Sequence, residues 1–410
     1  MKRRQFNQAL AAAGVAAGLA PFGIVRAQSR RLKVGVLLPR SGVQALIGQS
    51  CQKGADLAPE VIKQVLGVDI ELMNADTESN ADTARTRAER LIQEGANVLV
   101  GAFDSGHTAA IAQVAEQRGI PHIINIAAAP QITEQGYKFV FRNFPTAIDL
   151  VRNGLALMGD IFRVTNTVPR SAVFMHVNDT FGQAMAKGVG AILPRLDFLP
   201  FKVLDTIAYD PAARDLTVEV SKAKSTQADF LMLVCRLNDA IILRREMAKQ
   251  RWQPMGIISP GSPGLYEEQY TKTLGPLAEY AICNTVWFNP KSEMTRIVGA
   301  AFRKHNPKDV LDFHGTNVGY TYDAIMIAAD AFKRAQSTDS KVLADAIRQT
   351  DIAVNRRMSL GGAIRFNAKG QVEGNLSAAI QNLKGRPTVT LPTEYAEARV
   401  VFPEPGYRKS

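Results

Sequence analysis

Six short segments of this chain place hydroxyl-bearing, charged, aromatic or glycine residues directly after an apolar run. In parallel α/β sheets such positions face a ligand, because ligands bind outside the carboxyl ends of the strands. The segments are Pro39-Arg40-Ser41-Gly42, Phe103-Asp104-Ser105-Gly106-His107 and Asn125-Ile126-Ala127-Ala128-Ala129-Pro130, followed in the second half by His176-Val177-Asn178-Asp179-Thr180-Phe181-Gly182, Cys235-Arg236-Leu237-Asn238 and Pro260-Gly261-Ser262. The candidate ligand-facing residues in them are Arg40, Ser41, Phe103, Ser105, Gly106, Ile126, Ala127, Ala128, Asp179, Phe181, Arg236 and Gly261. Ser41 and Ser105 each precede a predicted helix, where a serine either caps the helix or, with the free N–H groups nearby, forms a small anion site. Two such sites in one cleft point towards a carboxylate-bearing ligand.

Catalytic patterns are missing. No glycine is followed by lysine, which excludes a Walker A loop, and the first strand is not followed by G-x-G-x-x-G. There is no H-E-x-x-H and no G-x-S-x-G, and Pro263 would misplace a nucleophile at Ser262. His107, His122, His176, His305 and His314 lack metal-ligand spacing, and His176 reads as a hydrogen-bonded structural histidine. Neither enzyme activity nor a cofactor or metal is expected.

The elements that must position these segments follow one rhythm: a short β-branched run, a polar or glycine-containing turn, then an amphipathic stretch. Strands are predicted at 32–38, 68–73, 98–100, 122–125, 172–175, 203–208, 230–234, 256–259 and 281–285. Helical segments of 10–20 residues between short apolar strands imply parallel sheets covered on both faces. The rhythm is interrupted near 141–149 and restarts, which favours two sheets. The last third reads as helices at 294–304, 315–334 and 341–349, then short strands at 363–366 and 377–383 ending in a hairpin. The chain is therefore expected to cross between domains more than once.

The chain has 410 residues, 46% of them hydrophobic and 21% charged, a globular composition spread over more than one domain. Its net charge of +11 invites a nucleic-acid reading. Residues 1–27 change that: a basic start with Arg3-Arg4, an Ala-rich apolar stretch and Val25-Arg26-Ala27 form a twin-arginine-like signal peptide cleaved after Ala27. Its four basic residues and no acid account for part of the excess, leaving about +7 dispersed among acids. The expected product is periplasmic, without a lipid anchor and without a nucleic-acid partner. Of the three cysteines, Cys235 and Cys283 lie in or beside apolar runs and read as buried free thiols.

The chain resembles the type I periplasmic solute-binding proteins of branched-chain amino-acid-type ABC transporters, the leucine/isoleucine/valine-binding family. The likeness covers essentially the whole mature chain. It is carried by Leu38-Pro39-Arg40-Ser41-Gly42 with Ala45 and Gly48, Gly54-Ala55-Asp56-Leu57-Ala58, Ala75-Asp76-Thr77, Gly101-Ala102-Phe103-Asp104-Ser105 and Gly119-Ile120-Pro121-His122-Ile123-Ile124. Further marks are residues 127–133, Asn178-Asp179-Thr180-Phe181-Gly182, Tyr322-Asp323-Ala324 and residues 362–370. The resemblance implies two doubly wound lobes joined by three crossovers, 28–145 plus 286–359 and 146–285 plus 360–410. It also implies a ligand trapped between the lobes, permease subunits as partners, and a monomer.

By the same resemblance, Ser105 matches a serine that hydrogen-bonds the ligand's carboxylate, and Ile126 and Ala128 match an alanine and a threonine whose backbone groups help. Phe181 takes the place of a tyrosine flanking the ligand, and Ile47 that of an aromatic residue. Arg236 stands where a tyrosine is usual, and Gly261 where an acidic residue pairs with the ligand's ammonium group. A buried ammonium without a carboxylate partner costs several kcal/mol, whereas arginine recognises carboxylates bidentately. These departures point to an anionic ligand without an amino group: an aromatic, phenylpropanoid or short aliphatic acid, with Ile47, Phe103 and Phe181 as apolar walls. Arg236 otherwise faces solvent or closes an ion pair between the lobes, and Asp179 leaves hydrophobic amino acids or amides, or a sensor on the same fold, as the alternative.

Overall fold

The protein is described by a computed structural model, which covers residues 31–407. The signal-peptide reading of residues 1–27 lies outside the described residues. Two sheets form the frame. The first, in order β2-β1-β3-β4-β5, consists of β1 (Leu32–Leu38), β2 (Ile70–Asp76), β3 (Val98–Gly101), β4 (His122–Ile124) and β5 (Val140–Arg142), all parallel. The second contains β6 (Ser171–Val177), β7 (Lys202–Tyr209), β8 (Phe230–Val234), β9 (Ile257–Ser259) and β10 (Ile282–Val286), again parallel. β11 (Ser377–Leu383) and β12 (Arg386–Leu391) add an antiparallel hairpin at its edge. The central strands are buried on both faces, as continuous apolar runs such as Phe230–Val234 require.

Helices cover the sheets. Around the first lie α1 (Ala45–Leu66), α2 (Ala81–Gln93) and α3 (Ser105–Arg118); within the second half come α4 (Ala147–Val164), α5 (Thr180–Ile192), α6 (Thr217–Ser225), α7 (Leu237–Lys249) and α8 (Glu268–Leu274). After β10 the chain returns to the first sheet with α9 (Glu293–His305), α10 (Leu311–Ala335) and α11 (Ser340–Arg348). α10 packs along α1, and Gly54 permits the approach: a Cβ there would lie 2.4 Å from the Val318 carbonyl oxygen.

The chain passes between the sheets three times, after β5, after β10 and after α11. The crossing segments are tied to one another by backbone bonds: Arg142 N–H donates to Gly370 O at 2.7 Å, Val372 N–H to Arg142 O at 2.9 Å, and Leu360 N–H to Trp287 O at 2.8 Å. Buried Asp323 on α10 accepts from the N–H groups of Met358 and Ser359, fixing the third crossing to the first lobe.

Several expected elements shift. The second strand starts at Ile70 rather than 68, and β5 and β12 were not anticipated because they are short or follow a turn. The expected strand at 363–366 makes only isolated bridges, Ile352 with Ile364 and Phe366 with Val372, since this segment serves the crossings rather than a sheet. Cys51, Cys235 and Cys283 are buried free thiols. Among the described residues no helix is long and apolar enough to cross a membrane.

Candidate functional site

The strand ends of the two sheets face each other across a cleft. Phe103 follows β3, Ile126, Ala127 and Ala128 follow β4, and Arg236 and Gly261 follow β8 and β9. With Phe181 of α5 these seven line one cavity. Its free volume is about 30 Å³, so the lobes must part to admit anything larger than about two water molecules. Phe103 adopts φ 74°, a left-handed conformation costly for a bulky residue, and its N–H donates to Asn125 Oδ1 at 3.2 Å. Gly261 has φ 140°, and a Cβ there would press on Leu150 and Met185 at 3.1 and 3.2 Å. Only glycine fits this wall without adjustment.

Arg236 dominates the electrostatics. Its Nε and Nη2 donate to Asp179 Oδ2 at 3.3 and 2.9 Å, and Nη2 also donates to Asp104 Oδ2 at 2.9 Å. Asp104 belongs to the first lobe and Asp179 and Arg236 to the second, so the guanidinium closes an ion pair between the lobes. Its Cζ lies 4.6 Å from the ring centre of Phe181 and 5.5 Å from that of Phe103. Burial alone would raise Asp104, but the guanidinium beside it, with His107, holds its carboxyl below the usual range. Burial alone would likewise lower Arg236, and its two aspartates outweigh that and raise it. The three bonds use Nε and Nη2, leaving Nη1 to donate elsewhere.

The helix starts contradict the capping expectation. Ser105 is the first residue of α3, and Asp104 caps it, accepting from Gly106 N–H at 2.8 Å and His107 N–H at 3.3 Å. Asp179 caps α5 through Gly182 N–H at 2.7 Å. Ser41 is exposed and caps nothing; α1 begins at Ala45, and the N–H groups of Arg40 and Ser41 donate to Asp76 Oδ1 at 2.9 and 3.3 Å. The protein's own carboxylates thus occupy the donors that were expected to bind an external anion.

The other expected residues sit around the cavity rather than on it. The Ser105 hydroxyl is buried and accepts from Ala129 N–H at 3.3 Å, behind the Ala127–Ala128 wall. Gly106 and Asp179 belong to the interlobe contact. Ile47 is buried and borders a separate crevice that shares Arg236, and Arg40 and Ser41 lie on neither. The remaining walls were not anticipated: Phe144, Leu150, Pro263, Tyr266, Thr285, Val286, Thr316 and Asn317. Thr285 and Val286 end β10, so the strand-end rule applied there would have found them. Thr316 and Asn317 lie on α10, where only the oddity of polar residues on a buried helix face signals them. The Thr316 hydroxyl is buried without a protein partner. Beyond Asn317, burial pushes the Glu267 carboxyl up to about 8, and one of its oxygens has no partner.

A cleft between two α/β lobes, walled by strand ends and crossed by a hinge, is matched by the sequence model of a family described as periplasmic binding protein, over residues 31–385. The chain belongs to that family. It is 24% identical to the Leu/Ile/Val-binding protein homolog 7 of Brucella abortus, over 97% of this chain and 98% of the relative. Among solved structures it is similar to the leucine-binding protein LivK of Thermotoga maritima, with TM-score 0.75, 21% identity, and 87% and 97% of the two chains covered. A solute-binding protein of an ABC transporter from R. palustris, solved with benzoate, gives TM-score 0.73 at 21% identity, covering 88% and 95%. The two lobes and their three crossings are thus the type I periplasmic binding protein fold, and proteins of this family bind substrates rather than transform them.

Proposed function

We propose that this binding protein is the periplasmic solute-binding component of an ABC importer. It captures a small carboxylate without an amino group between its lobes and presents the closed form to the permease. Export by the twin-arginine-like signal, cleavage after Ala27, action as a monomer and the absence of catalysis belong to this reading. So do the lobe limits 28–145 plus 286–359 and 146–285 plus 360–410. Closure follows from the ligand's preference for the closed state.

The observation that carries the ligand class is the composition of the cavity wall. Phe103, Phe144, Phe181, Leu150 and Val286 supply apolar surface, Arg236 supplies a free Nη1 donor, and no Asp or Glu lines it among the described residues. An α-ammonium would find no carboxylate on the wall itself. An acid's carboxylate could take the remaining Nη1 donor of Arg236 while its body packs on the phenylalanines. The fold serves both chemistries, since the R. palustris protein was solved with benzoate and the Thermotoga protein is a leucine-binding protein. A hydrophobic amino acid or amide is the second reading. It is favoured by the unpartnered oxygen of Glu267 next to Asn317, which would ionise beside an ammonium.

A thermal-shift panel of aromatic, phenylpropanoid and short aliphatic acids, with leucine and valine, separates the two. At a hundredfold excess over Kd a true ligand stabilises the native state by about 2.7 kcal/mol. Stabilisation by at least one acid lacking an amino group is expected. Response to leucine or valine alone would overturn the carboxylate reading.

A further inference from the structure

Arg142, at the end of β5, where the chain first leaves the first lobe, is with Arg357 one of two fully buried arginines among the described residues. A cation with no exposure is costly unless it is paired, yet no carboxylate lies within 4 Å of it among the described residues. Instead it serves the loop that follows β4. Nη1 donates to the carbonyls of Ala127 at 3.1 Å and Ala129 at 2.9 Å, and Nη2 to that of Pro130 at 3.3 Å and to the Thr133 hydroxyl. Four anchors on seven residues of chain fix the backbone of the wall built by Ala127 and Ala128.

The direction of those bonds matters. In a trans peptide the C=O of one residue and the N–H of the next point in opposite directions. With the Ala127 carbonyl turned to Arg142, the Ala128 N–H points away from it, and Ala128 lines the cavity. The neighbouring peptide is committed elsewhere, because the Ala128 carbonyl accepts from Ala147 N–H at 2.6 Å and Ala129 N–H donates to Ser105. Among the described residues the N–H groups of Ile126, Ala127 and Ala128 have no protein acceptor, and that of Ala128 belongs to the peptide whose carbonyl Arg142 holds. Burial lowers its pKa to about 9, against the longer-range pull of Glu134 and Asp149, so it is still charged at neutral pH.

We infer that Arg142 is the positioning residue for the ligand's carboxylate: it aims the Ala128 N–H at the cavity and supplies from behind the wall a positive charge that no protein carboxylate neutralises. This deepens the proposed function and rests on its carboxylate reading. The two arginines then differ in kind. Arg236 is held by two aspartates, whereas the charge of Arg142 is uncompensated at close range. The same residue's backbone pairs with Gly370 and Val372 of the third crossing, so the donor loop is fixed to the hinge.

The test is titration calorimetry of the full chain with benzoate, benzamide and leucine, for wild type, Arg142→Gln and Arg142→Lys, with amide hydrogen exchange over residues 126–130. Losing the buried charge should weaken benzoate by about 30-fold in Arg142→Gln while benzamide, equal in shape but neutral, changes by less than about threefold. Exchange over 126–130 should quicken, and Arg142→Lys, which keeps the charge but not the planar fork, should fall between. Equal losses for benzoate and benzamide, or benzoate affinity unchanged in a folded variant, would overturn the inference. Should Arg142→Gln fail to fold, Arg142→Lys decides alone: slower benzoate release, or unaltered affinity and exchange, goes against it. Binding of leucine but not benzoate by the wild type would remove the ligand class proposed above without touching Arg142. Its role is then upheld if Arg142→Gln weakens leucine, which also carries a carboxylate, and refuted if it does not.

Discussion

Replacing Arg236 with methionine should open the cleft rather than unfold the lobes. Asp104 and Asp179 each present an oxygen 2.9 Å from the same Nη2, so those oxygens lie within about 5.8 Å of each other. Their side chains are only 10% and 19% exposed, so bulk water screens them poorly. Without the guanidinium, two like charges at that distance repel by ~3 kcal/mol at an effective dielectric constant of about 20. Because one aspartate belongs to each lobe, the repulsion acts on closure, and ~3 kcal/mol corresponds to a shift of about 150-fold towards the open form. Opening hydrates both carboxylates, so the melting temperature should move less than the closed population does. Distances between spin labels, one on each lobe, report that population directly. Adding Asp104→Asn to Arg236→Met removes one of the two charges and should restore part of the closed fraction. An unchanged distance distribution in the single variant, or a double variant as open as the single, would refute the latch.

Two further outcomes follow from buried polar groups near the cavity. Thr316→Val removes a buried hydroxyl that has no protein partner, so stability should stay level or rise by about 1 kcal/mol, while affinity should fall for acids with a second polar group more than for benzoate. Denaturant unfolding and calorimetry separate these, and a loss of stability larger than that would show a hydrogen bond hidden in the wall. For Glu267 the folded pKa, about 8, lies above the 4.5 of a free glutamate because burial disfavours its charge. Stability drawn from its neutral form is therefore complete below about pH 4.5 and declines as the pH rises towards 8, by ~5 kcal/mol at most. Glu267→Gln should gain on the wild type steadily between pH 5 and 8 in urea titrations, and parallel pH profiles would refute the assignment.

Much of the frame was legible because it rests on local pattern. Leu32–Leu38 and Phe230–Val234 announce themselves as apolar runs, and the break near residue 141 marks the first passage between sheets. Seven expected site residues share the cavity because strand direction alone decides which loops face the cleft. What pattern could not supply was the partner of each charge. Ser41 and Ser105 looked like caps, yet Asp104 beats Ser105 to the helix start, and Asp76, 35 residues from Ser41, reaches its N–H. The segment at 363–366 has strand composition but is spent on the crossings, where neighbours far along the chain dictate its bonds. Thr316 and Asn317 were invisible to a strand-end rule because they approach the site from a helix.

The same limit explains why Arg236 drew attention and Arg142 did not. A charged residue at an expected strand end looks available, while Arg142 ends a strand that was not anticipated. The structure reverses their electrostatic standing. Arg236 sits between two carboxylates, so the three together carry a net charge of about −1 and repel an anion at long range, whatever Nη1 does at contact. Arg142 has only carbonyls and a hydroxyl around it, and these dipoles solvate its charge without cancelling it. An anion in the cavity thus gains more from the hidden arginine than the Arg236 pairing suggests, and a cation gains less. Lobe closure and ligand charge are then set by different residues, Arg236 with Asp104 for the first and Arg142 through Ala128 for the second. Substitutions at the two positions should therefore separate closing from binding.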